Sequence, residues 1–415
     1  MGPAMKGFIV GGFLLASLLS ACASPATPAA IPTQETATAN VPTATLVLEP
    51  VPTQVPTPGM NGLAMFAGGG WGWDTDSGRL YRSTDGGQSW EAVSLPKNTL
   101  FNFSTSAFLD LETAWLAGSD PQNVSQRLLH TVDGGTTWTE IDPQGLESPA
   151  GTFIFHFINS SEGWAEAAGA GAGNLYIQVF ATQDGGASYQ VVPIVPQEVE
   201  EGLPQGTVHL CNMCADSFYY DPARIVIITG DMGSMEPRGA IHGNISFDRG
   251  KSWKDLSLPL PEKYQDALVL PLQIRFVSET DGFLPVELNQ FNQADGSSLY
   301  RVLAVYTSHD GGATWELNPG LLEKIPNFPN LEFLNSQEAM VQCGEAICVT
   351  HDGAKNWQAF PLDQDMIPND SRSISELEFV DPLTAWIVIG DYNGSSMSYR
   401  IYKTSDGAES WELLQ

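Results

Sequence analysis

The chain has 415 residues, 42% of them hydrophobic and 16% charged, with 41 glycines, 28 prolines and a formal net charge of -30. That apolar content supplies a large core, and charge this sparse excludes disorder over most of the length. The acidity excludes nucleic acid as a partner, because neutralising phosphates takes clustered lysine and arginine. It favours basic partners or cations instead.

Residues 1–21 read as an address. Lys6 is the positive start, and Gly7 to Leu19 is an apolar run too short to span a bilayer comfortably. The stretch Leu19-Ser20-Ala21-Cys22 resembles a bacterial lipobox. The resemblance implies cleavage before Cys22, acylation of its thiol and a membrane partner through that lipid anchor. An ordinary secretory signal with an incidental cysteine is the alternative. Both place the mature protein outside the cytoplasm, and the first ties it to the bacterial cell envelope. Residues 22–59 hold Cys22 and a Pro/Thr/Ala-rich stretch with almost no charge and no hydrophobic period, which predicts an extended tether.

From Met60 to the end the chain is organised by a repeat, Ser/Thr-x-Asp-x-Gly-x-x-Trp, in seven copies. Its aspartates are Asp85, Asp133, Asp184, Asp248, Asp310, Asp352 and Asp406, spaced by roughly 40 to 65 residues, the period of four-stranded blades. The closing aromatics are Trp90, Trp138, Trp253, Trp315, Trp357 and Trp411, with Tyr189 in the third copy; Ala354 and Ala408 replace the second glycine in the last two. A carboxylate accepts hydrogen bonds from its own turn's amides, glycine supplies positive φ, and the upstream hydroxyl bonds into the same turn. The Trp buries a large surface back on a strand. Each aspartate therefore reads as a turn fastener and not as a catalyst.

A second register precedes each box. Phe108 is followed seven residues on by Trp115, Phe157 by Trp164, Phe276 by Phe283, Phe333 by Met340 and Phe379 by Trp386; the same interval links Phe66 to Trp73 and, more loosely, Phe218 to Ile225. Each marks the end of strand A, a turn and the start of strand B, with the box between C and D. The predicted fold is all-β: a seven-bladed β-propeller of four-stranded antiparallel blades over 60–415. Its first A strand lies at Gly62 to Phe66 and its last D strand at Trp411 to Leu414, so the ring closes blade against blade.

The box pattern resembles the Asp-box (BNR) repeat of sialidases, sortilin ectodomains, xyloglucanases and photosystem II assembly-factor-like propellers. The last are most similar, since they share the Phe-φ-Asp-x-x-x-Gly-Trp run followed by the box. That resemblance implies a client-binding scaffold that is not an enzyme and needs no cofactor. Sialidases also carry an arginine trio and a Phe/Tyr-Arg-Ile-Pro stretch near the domain start. Here the nearest match is Tyr399-Arg400-Ile401-Tyr402, at the wrong end and without proline. Arg82, Arg301 and Arg400 sit like ordinary strand C residues.

Length variation falls in the B–C and D–A connections, on the face opposite the boxes, where binding usually sits. The B–C insertions are Gly118–Arg127, Ala167–Asn174, Gly230–Asn244, Glu287–Leu299 and Gly390–Ser398; the longest D–A connection is Pro193–Val208. Candidate binding residues there are Asp231, Glu236, His242, Asn289, Asn292 and Asp391, for an unidentified protein or glycan. The same composition also describes inert loops. A glycoside hydrolase is the alternative, with Asp231, Glu236 and Glu166 as carboxylates.

Four further cysteines form two close couples. Cys343 and Cys348 fit the B–C hairpin of blade six as a local disulfide. Cys211 and Cys214 read as a second one near the start of blade four. A zinc site of Cys211, Cys214, His209 and His242 is the alternative, and the main reading holds no metal.

Overall fold

The structure is a computed structural model that describes residues 59–97, 99–119, 126–146, 153–171, 174–192, 207–210, 216–229, 239–292, 298–326, 329–369 and 371–414. Among them no helix is long and apolar enough to cross a membrane. Cys22, the lipobox, Cys211, Cys214, Asp231 and Glu236 lie outside the described residues.

Seven antiparallel sheets follow one another along the chain, each a meander of four principal strands. The first blade runs Gly62–Phe66, Gly69–Asp74, Arg79–Ser83 and Glu91–Ala92. The seventh runs Arg372–Asp381, Thr384–Tyr392, Met397–Thr404 and Glu412–Leu413. The innermost strands between them are Ala107–Phe108, Phe153–Phe157, Asp216–Asp221, Arg275–Phe276 and Leu331–Phe333. First strands of successive blades touch: Phe153–Phe157 meets Ala107–Phe108, Asp216–Asp221 meets Leu268–Pro271, and Arg372–Asp381 meets both Leu331–Phe333 and Gly62–Phe66. The strands therefore surround a central axis, and the circle closes between the seventh blade and the first without a shared strand. At that seam Met65 N–H donates to the Glu378 carboxylate at 3.3 Å, and Trp386 Nε1 donates to the Gly86 carbonyl at 3.3 Å.

The core lies between the blades as seven clusters, one per neighbouring pair. Strand alternation explains this. In the fifth blade Leu284, Val286 and Leu288 face the fourth, while Phe283, Leu303 and Val305 face the sixth. Middle strands are thus apolar on both sides, and the box face and its opposite carry the turns. Trp71, Trp115 and Trp386, just inside strand B, are wholly buried in these seams.

Three sequence expectations change in detail. Phe66–Trp73 and Phe218–Ile225 are not the structural equivalents of the other pairs. Aligning each strand B on the residue that pairs with the box Ser/Thr makes Met65 and Tyr220 the counterparts of Phe379 and its equivalents, with Gly70 and Ile225 opposite them. The A–B connection in blades one and four is one residue shorter, so a sequence interval of seven lands out of register there. Second, two of the B–C insertions are largely strand: Gly282–Phe291 pairs with Ser298–Ser308, and Gly163–Gly171 with Asn174–Thr182. Third, part of the long D–A connection forms a strand, Thr207–Leu210, that pairs with Asn174–Thr182 of the third blade. His209 therefore sits on blade three and His242 on blade four, which separates the two histidines of the zinc alternative between blades. Among the described residues no cluster of three or more potential metal ligands occurs.

Candidate functional site

The seven boxes share one hydrogen-bond pattern. In the fifth, Ser308 Oγ donates to Asp310 Oδ1 at 2.9 Å, and the Gly312 amide donates back to Ser308 Oγ at 2.7 Å. The Thr314 amide and hydroxyl donate to the same carboxylate at 2.8 and 2.6 Å. The residue before the aromatic, Ser89, Thr137, Ser188, Ser252, Thr314, Asn356 or Ser410, closes the turn in every copy. That partner was not singled out from the repeat, although every copy carries a hydroxyl or amide there. These donors hold the Asp85 carboxyl at about 2, with the Ser89 hydroxyl the largest cause. In six blades a box glycine amide also donates to the A–B turn of its own blade, as Gly311 does to Thr280 O at 2.9 Å. Ala354 and Ala408 take the second-glycine position at φ 67° and 76°. The aspartates are satisfied, ionised turn fasteners.

On the opposite side the described ones among the expected binding residues are spread over three blades. His242 is exposed on Ala240–Ser246 of blade four. Asn289 lies inside a strand of blade five, wholly buried, where it donates to Glu287 Oε1 at 3.2 Å and accepts from Ser298 Oγ at 3.2 Å. Its burial follows from the hairpin being strand where a loop was expected. Glu287 is held in turn by Arg301 at 2.8 Å. Asn292 is half-buried just past that strand. Asp391 is clamped by Arg372 Nε and Arg400 Nη2, each at 2.7 Å. Arg82 similarly bonds Leu111 O and Glu112. The three arginines just ahead of boxes are thus each held by a carboxylate in their own blade or its neighbour. Cys343 and Cys348 form the expected disulfide across the blade-six hairpin.

The concave feature lies on the axis. A cavity of about 690 Å³ is lined by innermost strands of blades two to seven. The register explains its chemistry. The residue immediately ahead of the register position is Ala64, Ala107, His156, Tyr219, Arg275, Glu332 and Glu378 in blades one to seven, so the position is small in the first two blades and polar in the other five. Glu376, two residues before Glu378, and Glu166, on strand B of blade three, complete the set; both line the cavity. Arg275 pairs with Glu332. Glu332 keeps 30% of its side chain accessible, but that part opens into the cavity and is surrounded by its walls, so burial still penalises its charge.

These carboxyls are pushed upward. Glu376 rises to about 8, from burial first and the neighbouring Glu332 charge second. Glu378 is raised strongly by burial, then by Glu332 and Glu376, against the pull of the Met65 amide. Burial raises Glu332, and the Arg275 guanidinium draws it partly back. Burial alone raises Glu166 and depresses His156 to about 4, leaving a neutral imidazole stacked on Trp164 at 4.6 Å. Of the polar lining residues only Glu166 was weighed as a functional group from sequence. The others were hidden because a charged residue inside a short strand looks like an ordinary solvent-facing position until the strand is known to face the axis.

The BNR/Asp-box repeat model matches residues 81–92 and 306–317, the first and fifth boxes. No curated protein sequence matches the chain. Among solved structures it is similar to YCF48 bound to D1 peptide, at 16% identity over 88% of this chain and 92% of that one, TM-score 0.45. It is similar to YCF48 from Cyanidioschyzon merolae at 14% identity over 87% and 98%, TM-score 0.45. For the Niastella koreensis GH74 enzyme the values are 12%, 86% and 59%, with a TM-score of 0.42. With its seven sheets, its seven interblade cores and its repeated carboxylate-closed turns, the chain is a seven-bladed β-propeller built on BNR/Asp-box repeats.

Proposed function

We propose that this propeller is a non-catalytic binding module that captures a segment of a protein partner in its central channel. The observation that supports the reading most is the division of labour among carboxylates. The box aspartates are engaged by their own turns, whereas Glu166 and Glu376 line a channel of about 690 Å³ without accepting a hydrogen bond from a described residue. A roomy axial cavity with a few convergent polar groups is the usual form of a binding site. The lipobox-like stretch ending at Cys22 and the tether behind it support an envelope-anchored, extracytoplasmic scaffold, with the ring held away from the lipid surface.

One observation favours a second reading, a glycoside hydrolase. Glu166 and Glu376 enter one cavity from different blades, and a carboxyl raised to about 8 suits a general acid. The two readings part in one experiment. A photoreactive side chain placed at the exposed, channel-lining Gln273 is expected to crosslink one stoichiometric partner from envelope extract, and a fluorogenic glycoside panel to show no turnover. Turnover abolished by Glu166→Gln or Glu376→Gln, without a crosslinked partner, refutes the binding module and supports the hydrolase.

A further inference from the structure

The channel is short of positive charge. Glu166, Glu332 and Glu376 line it and Glu378 adjoins the last two, while Arg275 is the single lysine or arginine among the described lining residues and is already paired with Glu332. Glu378 has the Met65 amide. Glu376 is half-buried in the cavity wall and accepts no hydrogen bond from any described residue. An enclosed carboxyl is ordinarily either paired or held neutral, because an unmatched charge costs several kcal/mol, and Glu376, unpaired, is held neutral until a partner brings the matching charge. Elsewhere the chain obeys that rule: Glu287, fully buried, is held by Arg301 and Asn289. Glu166 and Glu376, the two lining carboxyls that accept no hydrogen bond from a described residue, both sit where a ligand has room to supply the missing partner.

We propose that the channel binds an organic cation, the ammonium or guanidinium head of a lysine- or arginine-bearing partner segment or of a free polyamine, with Glu376 as its anchoring carboxylate. This rests on the reading of the channel as the binding site. The cavity is far larger than a metal ion needs, and the described side chains place no three ligands together around one. Tyr219 and Phe276, 4.8 Å apart between ring centroids, give the channel a low-dielectric wall that strengthens attraction between ligand and carboxylate. The Glu332 carboxylate adds negative potential beside Glu376. The overall charge of -30 draws cations toward the ring before contact.

The test is calorimetric titration of the full chain with spermidine, with a short alternating glycine–lysine peptide, and with its glycine–glutamate counterpart. The lysine peptide, spermidine or both are expected to bind, and the glutamate peptide is not. Binding by the peptide alone makes a protein segment the source of the cation; binding by spermidine alone makes it a free polyamine. Glu376→Gln is expected to weaken binding about tenfold or more, and Glu412→Gln on the outer edge to leave it unchanged. Because Glu376 holds a proton at neutral pH in the empty channel, a bound cation expels it, and the heat then varies with the ionisation enthalpy of the buffer. Absence of binding by both cations, or binding indifferent to Glu376→Gln, overturns the inference. A Gln273→Trp plug separates this from the wider reading. If the plug abolishes partner capture while Glu376→Gln does not, the channel stands and the cation falls; if neither matters, both fall.

Discussion

Replacing Glu376 by glutamine is expected to make the protein more stable in mild alkali and no different in mild acid. The carboxyl is pushed up to about 8 from 4.5 on folding, by burial and by Glu332. A raised carboxyl contributes its full share of stability below the unfolded value and loses it as pH climbs through the folded one. Every tenfold tightening of the proton's hold on folding is worth about 1.4 kcal/mol; discounting for channel water and for the shared repulsion of Glu332 and Glu378 leaves about 2–3 kcal/mol. The amide keeps the shape of the neutral acid and does not titrate, so Glu376→Gln removes that loss. Other groups facing the channel also titrate. Glu166, Glu332 and Glu378 act in the same sense, while His156, depressed to about 4 from 6.5, gains stability as pH rises through that window. The difference between variant and wild type, in which these largely cancel, is therefore the quantity to read. Urea unfolding at about pH 4 and about pH 8 measures it, with Glu412→Gln as an exposed control. A variant that tracks the wild type in parallel at both pH values, or is the less stable at pH 8, refutes the assignment of an enclosed, unpaired carboxyl.

Asp310→Ala removes one acceptor that serves the Ser308 hydroxyl and both Thr314 donors. Water replaces part of this at an exposed turn, so a loss of about 1–2 kcal/mol and a lower thermal midpoint are expected, with cation binding unchanged. Gly87→Ala is expected to cost about 2 kcal/mol or more in urea unfolding, because the residue sits at φ 84° and the added carbon meets Trp386 Nε1 at 3.0 Å in the closing seam. Cys343→Ser with Cys348→Ser opens a small loop, and about 2 kcal/mol should disappear, mimicked by reductant on the wild type.

Much of the architecture was legible because each blade repeats two local devices. Asp310 and its six equivalents announce the C–D turn, and Phe333 and its equivalents announce the end of strand A; together they set the blade count and the face that carries the boxes. Blades one and four escaped the second register because Met65 and Tyr220 replace phenylalanine and the following turn is one residue shorter. The long hairpin of blade five read as loop because Glu287, Asn289 and Gln290 look solvent-facing in sequence. In the structure the first two are buried against their own ion pair and amide contacts. The channel was least visible. A single charged residue before an aromatic carries no local signature; Glu332, Glu378, Arg275 and His156 become a site only when the ring brings their blades to one axis.

The central claim is that this molecule meets its ligand along the axis and not at the box turns. Hydrogen–deuterium exchange with and without the lysine peptide tests it most directly. Protection is predicted in Arg275–Phe276, Leu331–Phe333 and Arg372–Asp381, the inner strands beside the carboxylates. Protection confined to the box turns around Asp85, Asp310 and their equivalents, with those inner strands unchanged, would contradict it.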